Sequence, residues 1–113
     1  IEIKLVEEIE KNKNYFYFDY EKPSFPIFVR AKEEGDKFLS KGMASPKKLK
    51  KFFIDEKIDK DLRDRLPIIL ANNDILLVSN LRKSSIGELD SKSNKILLIK
   101  VEEGVFSEQQ KLK

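Results

Sequence analysis

The chain has 113 residues, 40% hydrophobic and 38% charged, with eight Phe and three Tyr, enough to bury one core without disulfides or metal. It has neither Cys nor His, which excludes disulfide frameworks, thiolate nucleophiles, imidazole bases, zinc fingers and most transition-metal sites. The net charge of +3 is unevenly spread, because residues 30–51 hold eight basic side chains against Glu33, Glu34 and Asp36.

Ile1 to Leu5 alternates apolar and polar residues and predicts an edge-like strand. Glu7 to Asn14 is polar and reads as a loop. Tyr15 to Phe18 predicts a second strand of strong β propensity, ended by Pro23, Ser24 and Pro26. Ile27 to Arg30 predicts a third strand. Glu33-Glu34-Gly35-Asp36 is a turn in which Gly35 supplies positive φ.

Ser45-Pro46 predicts a helix start, with Ser as N-cap, Pro in the first turn and a positive dipole end nearby. Leu49, Phe52 and Phe53 fall at i, i+3 and i+4 and form its apolar stripe, with most lysines opposite. Ile54 leaves the stripe and lands among the lysines. Asp59 predicts the cap of a second short helix carrying Leu62 and Leu66, which Pro67 stops. Ile68 to Ala71 and Ile75 to Val78, joined by Asn72-Asn73-Asp74, predict a β-hairpin. Ser79 to Asn94 is polar, Lys95 to Val101 predicts a last strand, and residues 107–113 are expected to fray.

No internal repeat is present. The order of elements predicts one α+β domain over residues 1–106. Its expected architecture is a mostly antiparallel sheet or small sandwich, with a short basic helical pair inserted between strands. Leu49, Phe52, Phe53, Leu62 and Leu66 are the expected helical core.

No apolar run approaches the ~20 residues of a membrane span, and no signal peptide is visible. The absence of Cys suits a cytoplasmic protein. The chain begins at Ile1, and its one Met is Met43, so it is expected to be a fragment of a longer protein.

The four glycines are scattered, so no phosphate-cradling loop forms, and no spacing marks a nucleophile. The strongest site signal is basic. Lys47, Lys48, Lys50 and Lys51 fall within five residues, followed by Arg63 and Arg65. Such a cluster is either a solvated helix face or a surface for a phosphate backbone. Asp61 and Asp64 offer the arginines ordinary ion-pair partners, so both readings stand for them too. Phe52 and Phe53 could stack bases, but their place on the Leu49 stripe assigns them to the core.

Residues 29–82 resemble the C-terminal domain of bacterial tRNA(Ile)-lysidine synthetases. The matching motifs are Arg30, Gly35-Asp36-Lys37-Phe38, Gly42-Met43, Lys47-Lys48-Leu49-Lys50, Phe52-Phe53-Ile54, Leu62-Arg63-Asp64-Arg65 and Pro67. The resemblance implies a fold related to part of the phenylalanyl-tRNA synthetase β subunit. It implies a parent ligase that adenylates the wobble cytidine of tRNA(Ile) and joins lysine to it, changing the codon read from AUG to AUA. ATP with Mg would belong to an N-terminal domain, because no Ser-Gly-Gly-type loop is present here. This chain itself would need no cofactor and carry no catalytic site.

The partners implied are tRNA(Ile) with a CAU anticodon, held toward its acceptor stem, and the other domains of the parent; no membrane is implied, and a homodimer is left open. The candidate RNA contacts are Lys47, Lys48, Lys50, Lys51, Arg30, Lys37, Arg63, Arg65 and Arg82. Two departures from the family pattern stand out. Glu33 and Glu34 replace arginines before Gly-Asp, and Leu77-Val78-Ser79-Asn80-Leu81-Arg82 replaces Trp-Val-Pro-Gly-x-Arg. A reading from another class is an interaction module, in which the helices dock onto other domains or a second subunit.

Overall fold

A computed structural model of the chain describes residues 1–23, 25–40 and 42–101. The expected strands form close to their predicted limits: β1 (Glu2–Val6), β2 (Tyr15–Asp19) and β3 (Ile27–Arg30). Two short strands follow that the alternation does not reveal, β4 (Lys37–Phe38) and β5 (Lys47–Lys48). Then come α1 (Leu49–Asp55), α2 (Lys60–Arg63), β6 (Ile68–Ala71), β7 (Asp74–Val78), a two-residue β8 (Arg82–Lys83) and β9 (Ile96–Lys100). Among the described residues no helix is long and apolar enough to cross a membrane. The expected fraying of residues 107–113 lies outside the described residues.

All strand pairs are antiparallel. β1, β9 and β2 make a three-stranded sheet in that order, and β3, β6, β7 and β8 make a four-stranded one. β4 and β5 make a separate ribbon. The four-stranded sheet is central because its middle strands are buried on both faces, as fully apolar strands require. Ile69, Ala71, Leu76 and Leu77 pack with Phe18, Leu97 and Ile99 of the three-stranded sheet. Ile68, Leu70, Ile75 and Val78 pack on the other side with Phe38, Leu49, Phe52, Phe53 and Leu66. A register shift at Ile69/Leu70 lets the consecutive Leu76 and Leu77 serve the same core.

The helix does not begin at Ser45-Pro46. Lys47 and Lys48 pair with Phe38 and Lys37 instead, and Lys48 stands at the N-cap without a side-chain cap bond. The Leu49 N–H donates to the Asp36 carbonyl at 2.8 Å, so a tertiary partner replaces the expected serine cap. The ribbon wins because it also buries Phe38, whose ring lies 5.6 Å from that of Phe52 in an edge arrangement. The expected dipole end at Ser45-Pro46 is lost with the cap.

At its other end α1 closes with a Schellman motif. Ile58 N–H donates to Phe53 O and Lys57 N–H to Ile54 O, both at 3.0 Å, with Lys57 at φ 57°. The expected stripe is otherwise as read: Leu49, Phe52 and Phe53 are buried, and Ile54 is 51% exposed. Leu62 and Leu66 are also buried, and Asp59 is the N-cap of α2, though without a side-chain cap bond.

Phe52→Ala should lower stability by about 3–5 kcal/mol in urea unfolding, while Ile54→Ala on the same helix should change it by less than about 0.5 kcal/mol. Lys57→Gly should raise stability by about 1 kcal/mol, because glycine takes the left-handed conformation without the Cβ penalty. A lower urea midpoint for that variant would contradict the C-cap assignment.

Candidate nucleic-acid interface

The basic residues cluster on the helix side of the central sheet, and the structure sorts them into two groups. Arg30 reaches from the end of β3 to grip Asp36 through two hydrogen bonds of 2.9 and 3.0 Å. Asp36 also accepts the Glu33 N–H at 2.8 Å. The guanidinium therefore closes the 33–36 turn, in which Gly35 takes the expected positive φ of 88°. The Arg30 hydrogen bonds hold the Asp36 carboxyl below its usual range, against burial, with help from the Glu33 backbone.

Lys47 lies on the inner face of the ribbon and forms an ion pair with Asp55, which lowers the Asp55 carboxyl pKa. It ties β5 to the last turn of α1. Arg82 spans three elements. It lies 3.4 Å from Glu56, donates to the Ser40 hydroxyl at 3.4 Å, and stands 5.5 Å from the centre of the Phe52 ring. The chain enters this region through Ser79, at φ 50°, with its N–H donated to Pro67 O at 2.8 Å. Proline could adopt neither feature, so the Ser-Asn departure from the Pro-Gly pattern gives this loop its own path.

The second group centres on four lysines. Lys37 and Lys48 stand directly opposite each other in the β4–β5 register, both exposed. Lys50 and Lys51 project from the exposed side of α1. Among the described residues none of these four has a carboxylate within 4 Å. Arg63 donates through Nε to Ile58 O at 2.8 Å, and Arg65 on the next turn is exposed.

A groove of about 660 Å³ runs between the 33–36 turn, the start of α1 and α2. Lys48, Lys50, Lys60 and Arg63 stand along it, opposed by Glu34 and Asp61. Its other acids are engaged: Asp36 with Arg30, Glu33 with Arg30 at 3.7 Å, and Asp64 with Lys32 at 3.6 Å. Sequence reading missed Lys60 and Lys32. Lys60 could have been found from its spacing, three residues before Arg63 on one short helix.

A family model described as "TilS substrate C-terminal domain" matches residues 27–100. The chain belongs to the TilS C-terminal domain family. It is 37% identical over 99 residues to a tRNA(Ile)-lysidine synthase of Caldanaerobacter subterraneus subsp. tengcongensis, covering 88% of this chain and 21% of that one. It is 39% identical over 94 residues to the enzyme of the same name from Clostridium acetobutylicum, covering 83% and 20%. The chain thus spans about a fifth of the length of these curated relatives. A crystal structure of a TilS C-terminal domain superposes with a TM-score of 0.71 at 34% identity, over 85% of this chain and 78% of that one. An N-terminal fragment of the phenylalanyl-tRNA synthetase β subunit from Pyrococcus horikoshii gives a TM-score of 0.62 at 19% identity, over 74% and 26%. The second likeness shows the fold alone, and it is the fold the resemblance implied.

The Arg30–Asp36 pair sets a pH dependence for the TilS domain. Asp36 has a depressed folded pKa, so its contribution is fully present above the unfolded value of about 3.9. It is lost as pH falls through the lower folded value. Urea midpoints measured from about pH 6 down to about pH 2 should fall, and Asp36→Asn should start lower at pH 6 and fall less. Parallel curves for the two chains would remove Asp36 from that role.

Proposed function

We propose that this chain is the tRNA-binding domain of an ATP-dependent tRNA(Ile)-lysidine synthetase, holding its substrate toward the acceptor stem. The observation that carries the reading is the like-charged pair Lys37–Lys48 in direct cross-strand register, extended by Lys50 and Lys51, with no carboxylate within 4 Å of any of the four among the described residues. Like charges directly opposite each other are destabilising within a ribbon. A phosphate backbone laid along them removes that repulsion and releases condensed counterions. A-form stems are read mainly through backbone and shape, which a rigid two-strand ribbon beside a helix suits.

On this reading Lys37, Lys48, Lys50, Lys51, Arg63 and Arg65 meet phosphates, joined by Lys60. Arg30, Lys47 and Arg82 hold the surface in shape through Asp36, Asp55 and Glu56. The parent would act in the cytoplasm on tRNA(Ile) with a CAU anticodon. Its ATP and Mg would bind outside this chain. The relatives' name and the family assignment support this reading.

A second reading, docking of the helical side onto other domains of the parent, is favoured by Ile54, which is 51% exposed among lysines. Salt separates the two readings. Reversing Lys37, Lys48, Lys50 and Lys51 to Glu should weaken tRNA binding more than about tenfold near 0.1 M salt. It should also flatten the plot of log K against log salt by about 0.7–0.9 per lost contact. Thermal unfolding should stay within a few degrees of the parent chain. Unchanged tRNA affinity with an unchanged slope would defeat the RNA reading.

A further inference from the structure

β1 is the outer strand of its sheet, paired with β9 over five consecutive residues without a register shift. Its far edge therefore presents backbone donors and acceptors to solvent. Edge strands are usually blunted by proline, bulges, charges or very short length; this one has neither proline nor bulge, and its two charges, Glu2 and Lys4, are of opposite sign.

Its side chains are arranged unusually for an edge. Ile3 lies opposite Ile99, and Leu5 lies opposite Leu97, so both point to the side of the buried inter-sheet core. Yet Ile3 is 38% exposed and Leu5 54%, and Ile1 beside them is 40% exposed. The apolar face of the sheet thus continues past the core into solvent. On the other face Glu2 and Lys4 alternate with these residues, and Glu2 lies within 3.6 Å of Lys4 and 3.5 Å of Lys100.

The sequence of this edge is complementary to itself. Pairing two copies antiparallel about Ile3 puts Ile1 opposite Leu5, Ile3 opposite Ile3, and Glu2 of each copy opposite Lys4 of the other. Centring the pair on Lys4 would instead oppose lysine to lysine and leave Glu2 facing Val6. Opposite charges across strands stabilise and like charges repel, so charge selects the first register. A two-fold axis also makes such a contact closed rather than fibre-forming.

We infer that β1 is a homotypic docking edge, at which a second copy of this chain adds its own β1 antiparallel about Ile3. The two three-stranded sheets then become one continuous sheet, with Ile1, Ile3 and Leu5 of both copies covering each other. The main-chain bonds supply affinity, and the Glu2–Lys4 oppositions fix the register. The contact involves one short strand, below the area of standard stable interfaces, so association is expected to be weak and concentration-dependent.

The inference does not rest on the RNA reading. Glu2 and Lys4 sit on the three-stranded sheet, across the central sheet from the lysine surface.

Sedimentation equilibrium of the whole 113-residue chain, from about 10 to about 500 µM, tests it. The average mass should rise from 13.2 kDa toward twice that value. Glu2→Lys alone creates two lysine–lysine oppositions per dimer, and Lys4→Glu alone creates two glutamate–glutamate ones. Each should weaken association at least about tenfold, and the two together should restore it. Ile3→Lys, which places like charges on the axis, should abolish it. A thermal melt of each variant confirms folding.

A chain that stays monomeric throughout, or single reversals that leave the mass curve unchanged, overturns the inference, as does a double reversal that fails to restore association. Monomers here, with β1 protected from hydrogen exchange only in a longer parent protein, would assign the edge to another domain instead. The β1 reversals should leave the salt slope of tRNA binding unchanged, and the lysine reversals should leave the mass curve unchanged, so the two readings fail separately.

Discussion

Ile68 to Ala71 and Ile75 to Val78 are all buried, so the β6–β7 hairpin needs cover on both faces. No single layer can supply that. The three-stranded sheet covers one face through Phe18, Leu97 and Ile99, and the ribbon with α1 covers the other through Phe38, Leu49, Phe52 and Phe53. The bulge after Ile69 lets Leu76 and Leu77 both serve the inter-sheet core while Ile75 and Val78 still reach the helix side. The placement of the basic surface follows from that division. The helix is held by its apolar stripe, and the lysines on its other side are left facing solvent.

The charges on that surface serve two different ends. Arg30, Lys47 and Arg82 each join segments that strand pairing alone would leave loosely related: the turn to β3, β5 to the end of α1, and β8 to α1 and Ser40. Their partners Asp36, Asp55 and Glu56 remove most of their value as free cations. Among the described residues Lys37, Lys48, Lys50 and Lys51 form no ion pair within 4 Å. Exposed ion pairs contribute little to stability, so pairing these lysines internally would gain little and would neutralise the surface. On the proposed RNA reading, leaving them open keeps the surface available to phosphates.

The same logic distinguishes the two outer regions of the molecule. On the helix side, exposed charge is concentrated, and the exposed Ile54 stands among lysines. On the β1 side, apolar residues continue in register past the core, and the charges alternate with opposite signs. On the two proposals, one surface would meet a polyanion and the other a copy of itself. They lie on opposite sides of the central sheet, so occupation of one leaves the other accessible.

The strands β1, β2, β3, β6, β7 and β9 were readable from alternation, aromatic runs and turn residues, because those signals act within a few neighbouring residues. The core side of α1 was readable for the same reason, and the ordered motifs from Gly35-Asp36 to Pro67 carried the family. What the sequence could not reveal was which cations were already engaged. Arg30 finds Asp36 across a turn, Lys47 finds Asp55 across a helix, and Arg82 finds Glu56 across the fold; such pairings depend on distances that only packing sets. The failed helix start has the same origin. Ser45-Pro46 was a sound local cap, but Phe38 had to be buried, and the ribbon that buries it carries Lys47 and Lys48 away from the helix. Local propensity, worth about 1 kcal/mol at a cap, yielded to the burial of an aromatic ring, worth about 1.5–3 kcal/mol.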